Sequence, residues 1–139
     1  MELARVTAVD DDLVAALGRL LPLLRETARP PTGDELAEII RTGHLFVARD
    51  PAIIGVLTLT VYRVLTGLSA RIDDVIVATE ARGRGVGEAL TRAAIDHARA
   101  AGARAVNLTS HPRREAANRL YQRIGFERRD TNAYVYKLR

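Results

Sequence analysis

The chain has 139 residues, 47% of them hydrophobic and 27% charged, the size and balance of one globular domain, 1–139, with a core of its own. It has no cysteine, which excludes disulfides and thiolate metal sites, and no apolar run near the ~20 residues of a membrane-spanning helix. The net charge of +4 is unevenly spread: residues 1–81 carry 8 arginines against 12 acids, and residues 82–139 carry 13 basic residues against 5 acids.

A basic half suits nucleic acid or a polyphosphate ligand. Four tyrosines and two phenylalanines leave little for a base-stacking surface, so the small ligand is preferred and nucleic acid is the weaker expectation. His44, His97 and His111 are scattered, and no metal site is expected. The first residues resemble no signal peptide, which predicts a cytoplasmic protein with no membrane partner. A homodimer is left open.

In chain order, Leu3 to Val9 alternates as a first strand. Asp10 or Asp11 caps a helix carrying Leu13, Leu17, Leu20, Leu21 and Leu24, with Pro22 expected to break its last turn. Arg25 to Pro31 is a loop. Thr32 with Glu35 forms a capping box for a short helix that Gly43 ends. Leu45 to Arg49 and Ile53 to Tyr62 read as strands joined by a tight turn at Asp50-Pro51, and Ala70 to Val77 follows a turn at Thr66-Gly67. A helix runs from Val86 to about Ala101, and Ala105 to Thr109 is a strand. Pro112 opens a last helix with Ala117, Leu120, Tyr121 and Ile124 on one face, closed by Gly125. Glu127 to Asp130 and Tyr134 to Leu138 are expected as final strands. Hairpin-linked strands followed by alternating strands and helices predict an α/β fold with a mixed sheet.

The stretch from Asp73 to Leu90 organises the rest. Val75, Ile76 and Val77 form a β-branched strand, and Gly83, Gly85 and Gly87 alternate before a helix that starts at Val86. Glycines let a backbone approach a ligand, and the first N–H groups of a helix attract anions. Arg82 and Arg84 add positive charge. The loop is not a nucleoside-triphosphatase loop, because Glu88 follows Gly87 where Lys and Ser or Thr are required. Nor is it a dinucleotide fingerprint: the spacing is G-x-G-x-G, and no acid stands where the ribose contact falls.

Arg82-x-x-Gly85-x-Gly87 behind an apolar strand resembles the coenzyme A loop of the GCN5-related N-acetyltransferases. Ala117-x-x-Leu120-Tyr121-x-x-x-Gly125-Phe126 is similar to that family's second motif, and the order of elements resembles its fold over nearly the whole chain. The resemblance implies a mixed, mostly antiparallel sheet of about seven strands flanked by about four helices. It implies acetyl-CoA as co-substrate, an amine acceptor and no metal. Coenzyme contacts would come from Val75, Ile76, Val77, Arg82, Gly83, Arg84, Gly85, Val86, Gly87 and Glu88. Many relatives place asparagine where this chain has Arg114; Asn118 is expected to supply a polar contact instead.

The chemistry so implied is direct attack of a neutral amine on the thioester. A backbone N–H of the Val75–Val77 strand would stabilise charge on the thioester oxygen. Tyr121 would protonate the departing sulfur, a phenol of pKa ~10 facing a thiol of ~8.5. Asp73 and Asp74 are the candidates for attracting the amine or taking its proton, with His111 and a water path as alternatives. Phe126 is expected in the core. The acceptor would be shaped by Arg25–Thr32, the second helix and the Arg63–Ser69 turn. A small-molecule amine is the first expectation and a peptide or protein amine the second. A non-catalytic acyl-CoA-binding module and a nucleic-acid-binding protein remain as rival readings.

Overall fold

Asp10 opens the first helix, α1 (Asp11–Leu24), by accepting a hydrogen bond from the Leu13 N–H at 2.8 Å. In the computed structural model, which describes residues 1–139, Pro22 sits inside α1 without breaking it. The ring costs one hydrogen bond, but the Arg25 N–H closes the last turn on the Leu21 carbonyl at 3.1 Å. The capping box of α2 (Gly33–Thr42) forms as expected: Glu35 N–H donates to Thr32 Oγ1 at 3.1 Å, and Thr32 N–H donates to Glu35 Oε1 at 2.8 Å.

Two compact units make up the chain, Met1–Thr109 and Ser110–Arg139. The first holds a five-stranded sheet: β1 (Glu2–Arg5), β2 (His44–Arg49), β3 (Ile53–Val64), β4 (Gly67–Val77) and β5 (Val106–Asn107), in that spatial order. Neighbours are antiparallel from β1 to β4, and β5 runs parallel to β4, so the expected mixed, mostly antiparallel α/β class holds. A single 3-10 turn (Thr79–Ala81) leads from β4 toward α3 (Val86–Ala100).

β3 is buried on both faces from Ile53 through Leu57. On one side α1 and α2 cover Leu45, Val56 and Ile76. On the other side α3 lies against Gly55, and a Cβ there would stand 2.8 Å from Val86 Cγ1 and 3.0 Å from Leu90 Cδ1. Val86, Leu90, Ala94 and Ala98 are buried at four-residue steps. Each fully buried Leu contributes about 1.5–3 kcal/mol relative to exposure, so this seam fixes α3 firmly to the sheet.

The strands differ from expectation at their ends. β1 stops at Arg5 rather than Val9, and β5 has two residues rather than five. No strand forms over 127–130 or 134–138, so the sheet has five strands instead of about seven. Tyr134, Val135, Tyr136 and Leu138 are β-prone but 80–91% exposed. Propensity alone does not make a strand: the N–H and C=O groups need a neighbouring ladder, and this segment has none. In the second unit α4 (Glu115–Ile124) begins three residues after Pro112, which lies in the preceding turn closed by Arg114 N–H on the His111 carbonyl at 2.9 Å. No helix is long and apolar enough to cross a membrane.

Candidate active site

β4 delivers the residues on which the site depends. Val56 pairs with Ile76 but Thr58 pairs with Asp73, so β4 carries one extra residue against β3. This β-bulge is centred on Asp74, whose φ of +53° is in the left-handed region, and Thr58 Oγ1 donates to the Asp73 carbonyl at 2.8 Å beside it. Asp is among the few residues other than glycine that visit this region readily. The pairing of β4 with β5 covers only Ala70 with Val106 and Arg71 with Asn107. From Ile72 to Val77 that edge of β4 has no ladder partner on β5, so the Val75–Val77 backbone is available to a ligand.

The loop from Arg82 to Glu88 follows directly. Gly83 and Gly85 both have φ of +79°, and Gly85 is the N-cap residue of α3. A Cβ at either position would meet nothing within 4 Å, so glycine is required for the backbone angle while the space above stays open. No side chain caps α3, which leaves its first N–H groups to an incoming anion. Glu88 would repel that anion, but its carboxylate is turned one helical turn on to Arg92 Nε at 3.1 Å. Arg84 lies 3.7 Å from Asp50, an exposed pair of about 0–1 kcal/mol that a phosphate could displace, and Arg82 is exposed. These residues fit a diphosphate: glycine backbone, free donors and two guanidiniums.

The bulge separates the two aspartates. Asp73 pairs with Arg71 Nε at 3.2 Å, and the same guanidinium donates to Thr109 Oγ1 at 3.2 Å. Asp74 lines a cavity of about 360 Å³ together with side chains of α1, α2 and the sheet. Although the residue as a whole is exposed, the cavity wall removes water from its carboxyl; that desolvation, with the neighbouring Asp73 charge, raises its pKa against a smaller opposing effect of Arg25. Arg29, Pro31 and α2 line this cavity as the sequence suggested, whereas the Arg63–Ser69 turn does not. Gly55, Thr58 and Arg71 were not singled out by sequence, and the α1 leucines were read only as a helix face and not as cavity wall; a glycine inside an apolar strand is the signal that marks Gly55.

Tyr121 and Asn118 lie on α4, in the second unit. Tyr121 is 7% exposed, and its ring meets Phe126 edge-on at 5.7 Å; Phe126 itself is half-buried. Burial pushes the Tyr121 phenol up, with Arg114 opposing more weakly, so it is protonated at neutral pH and can only give a proton. The Asn118 amide donates to the His111 and Arg114 carbonyls at 3.0 and 2.9 Å, which ties down the start of α4. His111 Nδ1 accepts from Arg113 N–H at 3.0 Å, so that nitrogen is occupied within its own turn.

A mixed sheet with an unpaired stretch on β4, leading into a glycine loop and an uncapped helix, defines an α/β protein with an open strand edge beside a helix start suited to an anion. The profile of the Acetyltransferase (GNAT) family matches residues 13–126, and the chain belongs to that family of N-acetyltransferases, which use acetyl-CoA. Among solved structures, a putative acetyltransferase from Agrobacterium tumefaciens str. C58 matches with a TM-score of 0.83 and 24% identity, over 96% of this chain and 99% of that one. An aminoglycoside acetyltransferase from an uncultured soil metagenomic sample matches with a TM-score of 0.84 and 21% identity, over 99% and 96%. A ribosomal-protein-alanine N-acetyltransferase from Brucella melitensis biovar Abortus 2308 gives 0.74 and 22%, over 99% and 100%. These likenesses are of fold. No curated protein matches the chain. No group of three or more His, Asp or Glu side chains is arranged to hold a metal ion.

Proposed function

We propose that the protein transfers the acetyl group of acetyl-CoA to the amine of a small molecule. The observation that carries this reading is the cavity beside the β4 bulge, about 360 Å³ and at the small end of ligand pockets, with Asp74 in its wall. Its residues come from α1, α2, the loop between them and the sheet, and they line a space of the size of a small acceptor.

In this reading the N–H groups from Gly83 to Glu88 and the Arg82 and Arg84 guanidiniums hold the coenzyme diphosphate. The Val75–Val77 backbone holds the pantetheine arm, and the Asn118 carbonyl oxygen adds a polar contact. A strand N–H donates to the thioester oxygen, where negative charge grows as the amine attacks. Asp74 takes a proton from the incoming ammonium, a task its raised pKa suits better than that of an ordinary carboxylate. The amine nitrogen forms the new N–C bond, the C–S bond breaks, and Tyr121 gives its hydroxyl proton to the sulfur. The nitrogen's surplus proton returns to solvent and the phenol is reprotonated, so the products are amide and free thiol. Two features support Tyr121 in this role: the motif it belongs to and a phenol that burial keeps protonated.

The experiment is thiol release from acetyl-CoA with and without small amines. Amine-dependent release supports the reading. Protection of the protein by acetyl-CoA against melting, without release for any amine, favours a coenzyme-binding module instead.

A further inference from the structure

The cavity also restricts which amine it takes. Its walls are chiefly hydrocarbon: Leu17 and Leu21 from α1, Leu36 and Ile39 from α2, Val56 and Ile76 from the sheet. Five polar or charged residues interrupt them, and three are already engaged. Arg29 binds both Glu35 oxygens at 3.2 Å and the Pro30 carbonyl at 3.1 Å. Glu35 also accepts from Thr32 N–H, and together these contacts hold its carboxyl below the usual range. The Thr58 hydroxyl donates to the Asp73 carbonyl. Only the carboxylates of Asp74 and Glu38 enter no hydrogen bond or ion pair with the protein.

An apolar cavity with two uncommitted carboxylates is incomplete in a specific way. A positive charge on a hydrocarbon body would satisfy it; a ligand rich in hydroxyls would not, because each buried hydroxyl left without a partner costs binding. From these walls we infer that the acceptor is a primary amine on an apolar chain or single ring, with its ammonium at Asp74 and its body against the α1 and α2 side chains. Polycationic aminosugars and peptide N-termini are disfavoured, because the hydroxyls of the first and the amide groups of the second would lie against walls that are chiefly hydrocarbon. Glu38, at the α2 side, adds attraction for the cation without demanding a second one. This rests on the transferase reading of the same site.

The test compares phenethylamine, ethylamine, kanamycin and an N-terminally free trialanine as acceptors in the thiol-release assay with acetyl-CoA. Phenethylamine should exceed kanamycin and trialanine at least tenfold in kcat/KM. Ile39→Ser should reduce the preference for phenethylamine over ethylamine by about three- to tenfold, the effect of losing one or two buried methylene contacts. Asp74→Asn should raise KM for both simple amines by tenfold or more, while acetyl-CoA still raises the melting temperature of both variants. Kanamycin or trialanine as the better substrate, or an unchanged preference in Ile39→Ser, overturns the inference and leaves the transferase reading standing. No thiol release with any of the four overturns the transferase reading, and the inference falls with it.

Discussion

Gly85 offers the most informative single perturbation of the coenzyme loop, because its two requirements can be separated. Its φ of +79° and ψ of 13° lie in the left-handed region, where a residue with a Cβ costs about 1–2 kcal/mol. No atom stands within 4 Å of where that Cβ would be, so no clash adds to the cost. Gly85→Ala should therefore lower the melting temperature by roughly 3–8 °C, given about 3–4 °C per kcal/mol for a chain of this length. Gly85→Asp should cost somewhat less, since Asp tolerates these angles better than Ala. Ligand binding distinguishes the two. In wild type, acetyl-CoA at about 100 times its dissociation constant should contribute about 2.7 kcal/mol, a rise of roughly 10 °C. Gly85→Ala should retain a reduced part of that rise. Gly85→Asp should lose it, because its carboxylate occupies the space above the free N–H groups and repels the diphosphate. The assay is a thermal melt of the three proteins with and without acetyl-CoA. A folded Gly85→Asp protein protected as strongly as wild type would refute the assignment of the diphosphate to this loop.

Three other outcomes are expected. Tyr121→Phe should keep its edge-on contact with Phe126 and its protection by acetyl-CoA, yet lose about 10²–10⁴-fold in turnover; near-normal turnover would end the general-acid role. Gly55→Ala should destabilise by about 1–3 kcal/mol, because the new methyl would press on the buried side chains of Val86 and Leu90; an unchanged melt would show that they or α3 shift freely. His44 has its pKa lowered from 6.5, first by burial and then by the charges of His97 and Arg5, whose Nη1 is 3.3 Å from its Nδ1. The fold therefore favours the neutral ring and the unfolded chain binds the extra proton, so this stability is present above about pH 6.5 and is lost as pH falls below it. The urea midpoint should fall more steeply between pH 7 and 5 in wild type than in His44→Gln, and parallel slopes would contradict that.

The parts of the fold that could be read from sequence are those fixed by local chemistry. Asp10, and Thr32 with Glu35, satisfy helix-end groups within a few residues of themselves, and Gly85 supplies the left-handed backbone angle that precedes α3. The bulge at Asp74 could not be read in this way, because its cause is a register shift against β3, and registers are set by partners distant in sequence. For the same reason the sequence named both Asp73 and Asp74 as candidates to meet the amine but did not choose between them. The Arg71 guanidinium lies beside Asp73 and the cavity beside Asp74, which supports the proposal that Asp74 is the one to meet the amine. The error over 127–138 has the opposite origin: tyrosines and valine look like strand residues singly, and only the missing ladder removes the strand. Pro22 misled similarly, since its cost of one hydrogen bond is small where a helix is already ending.

The central claim is acetyl transfer to an amine. Its most direct measurement is mass spectrometry of a simple primary amine such as phenethylamine, incubated with the protein and acetyl-CoA, alongside titration of the released thiol. The account predicts N-acetylated amine and free thiol in equal amounts, both dependent on the protein and both greatly reduced in Tyr121→Phe. Thiol release without acetylated amine, or neither product from a protein that acetyl-CoA still protects against melting, would contradict it.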